Sequence, residues 1–395
     1  MNVDEMRTEG AEASRKIRVC IVAPSLAILG GQSRQAMRLL TGLREEPSLD
    51  VSFLPHDPRL PSFLRLLQTI KYVRTLVTSL LYWVTLLARL WKYDVIHIFS
   101  AAYYSFLLSA LPAIAIGKLY AKKVVLNYRS GEAEDHLQRW RWTALPTMSQ
   151  ADAIVVPSGY LADVFKRFGV RARSIPNIVE LNRFRFRERS SLRPVFLTSR
   201  LLEPLYNVGC VLRAFALIRQ RFPEAHLTVA ADGWQRSELE GLARELGLRN
   251  TEFIGRVPFD KMPELYDAAD IYLTATDIDN MPSSILECFA SGVPVVTTDA
   301  GGVPYILTHE VTGLMVRRGD HEGLAACAIR LLEDQALALR IARRARDECR
   351  KYTWPKVRNE WLGLYRELVA EMTMAGEELP HIGRKPMRQC RGRGR

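Results

Sequence analysis

Two carboxylates and two serines around residue 282 have the types and spacing to bind and transform a polar ligand. A helix is predicted to begin at Pro282, so the backbone N–H groups of Ser283 and Ser284 would point outward and bind an anion. Asp279 precedes this helix and Glu287 lies within it. Carboxylates accept hydrogen bonds from sugar and ribose hydroxyls. In the alternative interpretation, Asp279 only caps the helix and Glu287 is a surface residue.

A glycine pair, Gly30-Gly31, marks a second place where backbone amides could receive an anion. It follows a first apolar run, Ile17 to Val22, and precedes a helix-like segment that ends near Glu45. In parallel α/β proteins this turn often holds a phosphate at the helix N-terminus. The dinucleotide fingerprint G-x-G-x-x-G is absent, and turn geometry alone also explains such pairs. The pair by itself leaves both interpretations open.

The elements that position these residues are predicted by an alternation of short apolar runs and longer amphipathic segments, the pattern of parallel sheets with helical crossovers. An Arg-rich segment, 182–193, separates two series of runs. The first series comprises residues 17–22, 51–54, 95–99, 124–128 and 154–156, and the second comprises 195–199, 226–230, 253–254, 271–273 and 294–297. We predict an α/β protein with two Rossmann-like, doubly wound domains that face a cleft.

The predicted domains occupy residues 16–190 and 191–353. An amphipathic segment, 354–373, follows the last strand of the second series and is expected to form a helix that crosses back onto the first domain. The ends of the chain, residues 1–15 and the basic residues 376–395, are expected to be disordered.

Composition places the chain among ordinary globular proteins. Of 395 residues, 48% are hydrophobic and 25% charged, which excludes disordered and collagen-like classes. Six cysteines form no C-x-x-C pair, so neither a disulfide framework nor a structural zinc site is expected. Hydrolase and kinase functions lack a motif. The first sixteen residues contain no apolar signal segment, so we expect a cytoplasmic protein. The net charge of +12 is compatible with anionic lipids, nucleic acids or phosphorylated ligands.

A basic and apolar stretch, residues 61–91, predicts an amphipathic helix that lies on a membrane surface. Its apolar stripe comprises Leu66, Ile70, Val73, Val77, Leu80, Val84, Leu87 and Trp91, and its basic flank comprises Lys71, Arg74, Arg89 and Lys92. We therefore expect a peripheral protein on an anionic membrane. Burial of the stripe against the first-domain sheet is the favoured alternative, and partial burial with Trp83 or Trp91 exposed satisfies both.

The next stretch, Val95 to Gly117, carries no formal charge and is long enough to span a membrane as a helix. Its β-branched start and Pro112 favour a buried strand followed by a buried helix. Within this strand, His97 is expected to have a structural role.

A series of short matches, in order and with matching spacing, shows that the chain resembles the family-4 retaining glycosyltransferases of the GT-B fold. The resemblance extends from about residue 17 to 368 and is strongest over 198–316. The central match is the family's Glu-x7-Glu element with its Gly-x-Pro, here Asp279-Asn280-Met281-Pro282 through Glu287. The other matches are Gly30-Gly31, Ser199-Arg200-Leu201, 253–257, 290–296 and the glycine-containing segments 301–302 and 312–314.

The resemblance implies a nucleoside-diphosphate sugar donor held mainly by the second domain, and no metal cofactor. The base would lie near Arg256-Val257, the ribose on Glu287 and the diphosphate on Arg200. The amide of Gly31 would close over the phosphates, and Asp279 would hold hydroxyls of the transferred sugar. Further implied donor contacts are Gly30, Asn280, Met281, Pro282, Ser283 and Ser284.

Three departures from the family pattern lie at the reacting end. The family's phosphate-binding lysine has no equivalent, and Asn207 is the nearest residue to its place. Asp279 is one methylene shorter than the usual Glu, and Asn280 replaces the following Gly. A first-domain His is replaced by Arg129, which either supplies the missing positive charge, as a catalytic residue beside Asp279, or marks a degenerate enzyme.

These observations predict a retaining, metal-independent glycosyltransferase that moves a hexose-type sugar to a glycan, lipid-linked or small-molecule acceptor. A nucleic acid partner is not expected. The alternatives are a catalytically weak scaffold that binds nucleotide sugars and a GT-B nucleotide-sugar epimerase.

Overall fold

The structure is a computed structural model that describes residues 15–26, 30–58 and 70–377. It contains two six-stranded parallel sheets, each covered by helices on both faces. The predicted arm therefore lies outside the described residues except for Arg15, as do residues 378–395 of the predicted tail and Leu66 of the predicted stripe.

The first sheet has the strand order β2-β1-β3-β4-β5-β6. Its strands are β1 Ile17–Ala23, β2 Leu49–Pro55, β3 Val95–Ser100, β4 Lys123–Tyr128, β5 Ala153–Val156 and β6 Arg173–Ser174. Val19 in the central β1 pairs with Val51 on one side and Val95 on the other. These strands are apolar along most of their length because both faces are covered.

The first-domain helices follow the strands as crossovers. They are α1 Gly31–Arg44, α2 Lys71–Arg89, α3 Tyr103–Ser105, α4 Leu111–Leu119, α5 Ala133–Arg139, α6 Arg141–Met148 and α7 Gly159–Arg167. The uncharged stretch that begins at Val95 forms β3 and then α3 and α4, joined by a π-helical turn, Phe106–Ala110. A strand followed by a helix is the predicted arrangement.

Helix α2 buries a different face from the one that the sequence favoured. Its inward side chains are Tyr82 and Leu86, with Leu90 just beyond its end, and these pack in the first-domain core. Most of the predicted stripe is solvent-exposed, including Leu80, Val84 and Leu87. The alternative prediction that the stripe is buried against the sheet is therefore wrong. The aromatic ring of Tyr82 supplies the buried contact that the aliphatic pattern did not indicate.

The second sheet has the strand order β12-β11-β10-β7-β8-β9. Its strands are β7 Val195–Thr198, β8 His226–Val229, β9 Thr251–Phe253, β10 Ile271–Leu273, β11 Val295–Thr298 and β12 Leu314–Val316. Its helices are α8 Val208–Arg221, α9 Arg236–Glu245, α10 Met262–Ala268, α11 Ser283–Ser291, α12 His321–Glu333 and α13 Gln335–Cys349. Val179 and Phe184, from the connection between the sheets, already pack in the second-domain core. The division after residue 190 stays a prediction.

The last helix, α14 Trp354–Glu377, returns to the first domain, as predicted. Trp361 and Tyr365 are buried with β1 side chains such as Val19 and Ile21. His97 in β3 lies within hydrogen-bond distance of the Tyr365 hydroxyl, at 2.6 Å, and accepts a 3.0 Å hydrogen bond from Asn127. This buried network gives His97 a structural role.

Candidate active site

The loops that follow several strands of the two sheets meet around one cavity of about 350 Å³. Such crevices at the carboxyl ends of parallel strands are where α/β proteins bind ligands. The cavity is lined by every predicted donor-binding and catalytic residue except Asn207: Gly30, Gly31, Arg129, Arg200, Arg256, Val257, Asp279, Asn280, Met281, Pro282, Ser283, Ser284 and Glu287. The fold therefore brings together residues that are up to 257 positions apart in the sequence.

Asp279 and Arg200 form an ion pair at the second-domain side of the cavity, with 2.6 Å between carboxylate and guanidinium. Burial raises the pKa of Asp279, although Arg200 and the backbone N–H of Asn280 act to lower it. Burial also disfavours charge on Arg200, but the Asp279 carboxylate raises the pKa of Arg200 above its ordinary value. Arg200 also lies over the ring of Tyr206, at 4.3 Å. The charge of Arg200 is thus partly neutralised by Asp279.

Arg129 follows β4 and faces the cavity from the first domain. Its guanidinium donates to the side-chain oxygens of Asn127 and Asn177 and lies over the ring of Phe99. No carboxylate pairs with Arg129 among the described residues. Burial lowers the pKa of Arg129 to about 9, and a guanidinium remains charged near neutral pH. Arg129 is therefore a partly buried cation available to an anionic ligand.

Glu287 is fully buried, so the alternative interpretation of a surface residue is wrong. Its carboxylate accepts hydrogen bonds from Arg38 and from the Tyr266 hydroxyl, both at 3.0 Å. Arg34 lies 3.8 Å from the same carboxylate. The carboxylate is held in place from both domains while it lines the cavity.

Helix α11 begins at Ser283, one residue later than predicted. Pro282 is the N-cap, because its ψ of 115° is extended rather than helical. The Asp279 carboxylate accepts from the Asn280 N–H instead of capping the helix, so the capping alternative is also wrong. The Ser284 hydroxyl is buried without a partner among the described residues. The helix N-terminus and this hydroxyl line the cavity and could bind an anion.

Gly30 and Gly31 leave open space at the start of α1. Gly30 is extended, with φ of −163°, and Gly31 is the first helical residue, so neither needs glycine for its backbone conformation. A Cβ atom at either position would meet no described atom within 4 Å. Turn geometry therefore does not explain the pair, and the absence of side chains lets a ligand approach the helix N-terminus.

Gly302 positions the loop that carries Asp279. Its N–H donates to the Asp279 carbonyl oxygen at 3.0 Å. A Cβ atom on Gly302 would overlap the carbonyl oxygen of Asn280. The Gly301-Gly302 match thus has a physical cause, which is close approach of two backbones.

The predicted base side of the cavity contains an aromatic ring that the sequence did not single out. Phe259 lines the cavity beside Arg256 and Val257. The guanidinium groups of Arg183, Arg38 and Arg34 lie 3.8, 5.1 and 5.5 Å from the centre of its ring. Arg34 and Arg38 are four residues apart on α1, a spacing that places them on one helix face. The helical spacing of Arg34 and Arg38 after the glycine pair is the sequence signal that could have predicted their place at the site.

Asn207 does not line this cavity, which corrects its prediction as a donor contact. It lies in the left-handed region, with φ of 44°, and caps α8 by accepting from the Cys210 N–H. Its amide nitrogen donates to Asp277 at 3.1 Å. The side chain borders a separate depression on the second domain.

Within the part of the chain that the structure describes, no cluster of three or more His, Cys, Asp or Glu residues could hold a metal ion.

Two facing Rossmann-like domains with a ligand cavity between them define the GT-B architecture. Residues 29–183 match the model of Glycosyltransferase Family 4, and residues 182–348 match the model of Glycosyl transferases group 1. The chain belongs to the family-4 type of GT-B glycosyltransferases.

Individual relatives are similar over parts of their length. An exopolysaccharide phosphotransferase of Streptomyces coelicolor is 32% identical over 55% of this chain and 24% of its own length. Sulfoquinovosyl transferase of Arabidopsis thaliana is 27% identical over 68% of this chain and 56% of its own. The chain thus spans from about a quarter to just over half of these relatives. HepE of Anabaena, in complex with UDP-glucose, has a TM-score of 0.68 at 17% identity, covering 91% of this chain and 100% of HepE.

Proposed function

We propose that the chain transfers a hexose-type sugar from a nucleoside-diphosphate sugar to an acceptor, with retention of anomeric configuration and without a metal ion. The observation that carries this proposal is the partly buried Arg129, which has no acidic partner among the described residues and faces the Arg200–Asp279 pair across the cavity. A diphosphate leaving group gains negative charge as the glycosidic bond breaks, and fixed cations stabilise that charge. The UDP-glucose complex of HepE, which has the same fold, supports a donor of this class.

Each part of the donor has a proposed partner in the cavity. The diphosphate lies between Arg129, Arg200 and the N-termini of α1 and α11, where positive charge and free N–H groups converge. The ribose hydroxyls bind Glu287, and the base lies near Val257 and Phe259. The sugar hydroxyls bind Asp279, which replaces part of its contact with Arg200.

In the proposed reaction, the bond between the anomeric carbon and the phosphate oxygen breaks and a bond to the acceptor oxygen forms on the same face of the sugar. The acceptor proton passes to the departing phosphate oxygen, so no protein base is required. Arg129 and Arg200 supply the charge that a metal ion would otherwise provide. Transfer is therefore expected to be unchanged in a chelator, and NMR of the product is expected to show the donor's anomeric configuration.

The acceptor is proposed to be a glycan or a lipid-linked molecule that enters from the first-domain side, in polysaccharide biosynthesis on the cytoplasmic side of a membrane. A lipid-linked acceptor requires the first domain to contact that membrane.

The test is release of nucleoside diphosphate and labelled product from candidate donors and acceptors by the wild type, Asp279→Asn and Asp277→Asn. Asp279→Asn removes the charge at the sugar hydroxyls and should lower kcat about 10- to 100-fold, the equivalent of a charged hydrogen bond. Asp277→Asn is the matched control, since Asp277 lies on the same loop but does not line the cavity.

Three results would contradict the proposal. Full turnover by Asp279→Asn removes the sugar role of Asp279. Donor binding without release by the wild type favours the scaffold. Interconversion of nucleotide sugars in the absence of an acceptor favours the epimerase.

A further inference from the structure

Helix α2 presents large apolar side chains to solvent from Leu76 to Leu87. Leu76, Leu80 and Trp83 are 72%, 63% and 48% exposed. The helical segment Val73–Lys92 is long and apolar enough to cross a membrane, yet few of its residues are buried. Exposed apolar surface of this extent on a folded protein marks an interaction site.

The neighbouring helical segment, Tyr103–Leu119, extends the same surface. It is joined to α2 by hydrogen bonds from the Tyr82 hydroxyl to the Ser109 carbonyl and from the Tyr120 hydroxyl to the Leu87 carbonyl, both at 2.8 Å. Its own exposed side chains include Tyr104 and Leu108. We define the apolar face as the exposed sides of α2 and of segment 103–119.

The two segments that form the apolar face carry almost only positive charges, although Asp135 accepts a hydrogen bond from Tyr103 and Asp152 pairs with Lys118. Arg74, Arg89 and Lys92 are exposed on α2 and the turn that follows it. Between residues 70 and 131 the sequence contains a single acid, Asp94, and it is paired with Arg18 at 2.7 Å. An apolar surface flanked by cations that pair with no acid among the described residues complements an anionic lipid bilayer better than it complements another protein of mixed charge.

We propose that the apolar face docks on an anionic membrane, with α2 lying in the interface plane. By length and composition α2 could cross a bilayer. However, Tyr82 and Leu86 are packed in the first-domain core, so crossing would expose that core. The uncharged interior, 75–88, is also shorter than a span requires. The helix therefore lies on the membrane rather than through it.

This docking also orients the cavity, an extension that rests on the proposed function. The middle of helix α2 lies beside the carboxyl end of β2, since the rings of Tyr82 and His56 are 6.4 Å apart. Tyr104 follows β3 at the same end of the sheet. The cavity opens at the same end of that sheet. A lipid-linked acceptor held in the docked membrane would thus reach the cavity from the first-domain side.

The test is flotation of the full chain with vesicles that contain phosphatidylglycerol, compared with pure phosphatidylcholine. Binding is expected only to the anionic vesicles and is expected to fall with salt. Changing Arg74, Arg89 and Lys92 to Gln should weaken partitioning roughly fivefold per charge, on the order of 100-fold in total. The matched control changes three exposed second-domain residues, Arg249, Arg340 and Arg344, to Gln and should bind as the wild type does.

A second pair of variants tests the apolar contribution. The double variant Leu80→Glu/Trp83→Glu changes exposed positions, so it should fold with an unchanged circular dichroism spectrum but lose flotation. Trp234→Glu, at an exposed tryptophan of the second domain, should float normally.

Several outcomes overturn the inference. These are no flotation of the wild type, loss only when the basic residues of 384–395 are changed to Gln, and retention after alkaline extraction, which indicates a spanning helix. A dimer that Leu80→Glu dissociates, without flotation, assigns the face to a second copy of the chain. Flotation of a protein that transfers no sugar supports docking and contradicts only the proposed function.

Discussion

Arg129 combines an energetic cost with a chemical use. It is partly buried without an acid partner among the described residues, and removal from water lowers its pKa to about 9. An unneutralised charge held in this way destabilises the ligand-free protein and is ready to bind an anion. Such conflicts between stability and function are typical of functional sites.

We predict that Arg129→Met lowers transfer with little change in stability. The substitution keeps an extended side chain and removes a partly buried charge, but it also leaves the buried side-chain oxygens of Asn127 and Asn177 without this donor. These effects oppose each other, so the free energy of unfolding should change by about 1 kcal/mol or less. Loss of a charge-assisted contact should lower kcat about 10- to 100-fold. Urea unfolding and initial rates measure the two effects. Full turnover by Arg129→Met would leave Arg129 with a structural role only.

We predict that the protein loses stability on acidification because of its two buried histidines, His97 and His136. Burial lowers the pKa of His97 to about 3, with a contribution from Arg129, and burial lowers the pKa of His136 to about 4. Both values lie below that of an unfolded histidine, near 6.5. The unfolded chain therefore binds more protons between these values, and stability falls as pH falls below about 6.5.

Each histidine should cost on the order of 2 kcal/mol of stability between about pH 7 and pH 5. His136→Phe keeps a ring among its aromatic neighbours and should reduce this dependence by about half, as measured by urea unfolding across that range. His321→Gln is the control, since His321 is not buried. An unchanged slope in His136→Phe would mean that His136 does not titrate as described.

The sequence predicted the site residues that belong to continuous motifs, because residues close together in the chain determine the geometry of a loop and of the helix that follows it. It did not predict the partners of Glu287. Arg38 is 249 residues away in the chain, and its contact depends on how the two domains meet. The prediction for Asn207 failed because of a local contact. Its side chain caps helix α8 and therefore does not reach the cavity.

At the scale of elements, the Asp279 loop is held by backbone contact with the loop after β11. We predict that Gly302→Ala displaces this loop, because a Cβ atom there would overlap the Asn280 carbonyl. Stability should fall by about 1 to 3 kcal/mol, as for other overpacked sites, and affinity for the donor should fall with it. Gly241→Ala is the control, because its Cβ would meet only the tip of Arg244, at 3.8 Å. It should be neutral or stabilising. Equal behaviour of the two variants would contradict the positioning role of Gly302.

The alternation of apolar runs predicted the strands and the two sheets because strands that are buried on both faces are apolar throughout. Helix α2 was harder to predict from its pattern. Its aliphatic stripe and its buried side overlap little, since Tyr82 and Leu86 make the core contact and the stripe faces solvent. A pattern shows that a helix has an apolar side but not which surface covers that side.

At the scale of the whole molecule, the two domains meet directly beside the cavity. Gln35 donates to the Ser283 hydroxyl at 3.1 Å, and Arg38 pairs with Glu287 at 3.0 Å. A donor bound between the domains would contact both, so it should stabilise their closed arrangement and the entire fold with it.

The most direct test of the central claim is a thermal-shift screen of the full chain with nucleoside diphosphates and their sugars. A ligand that binds the folded state at 100 times its Kd adds about 2.7 kcal/mol of stability. We predict a rise in Tm with at least one nucleoside diphosphate, and with its sugar conjugate, that Arg200→Ala diminishes. No rise with any nucleotide, or an equal rise in Arg200→Ala, would contradict the assignment of this cavity as a nucleotide-sugar site.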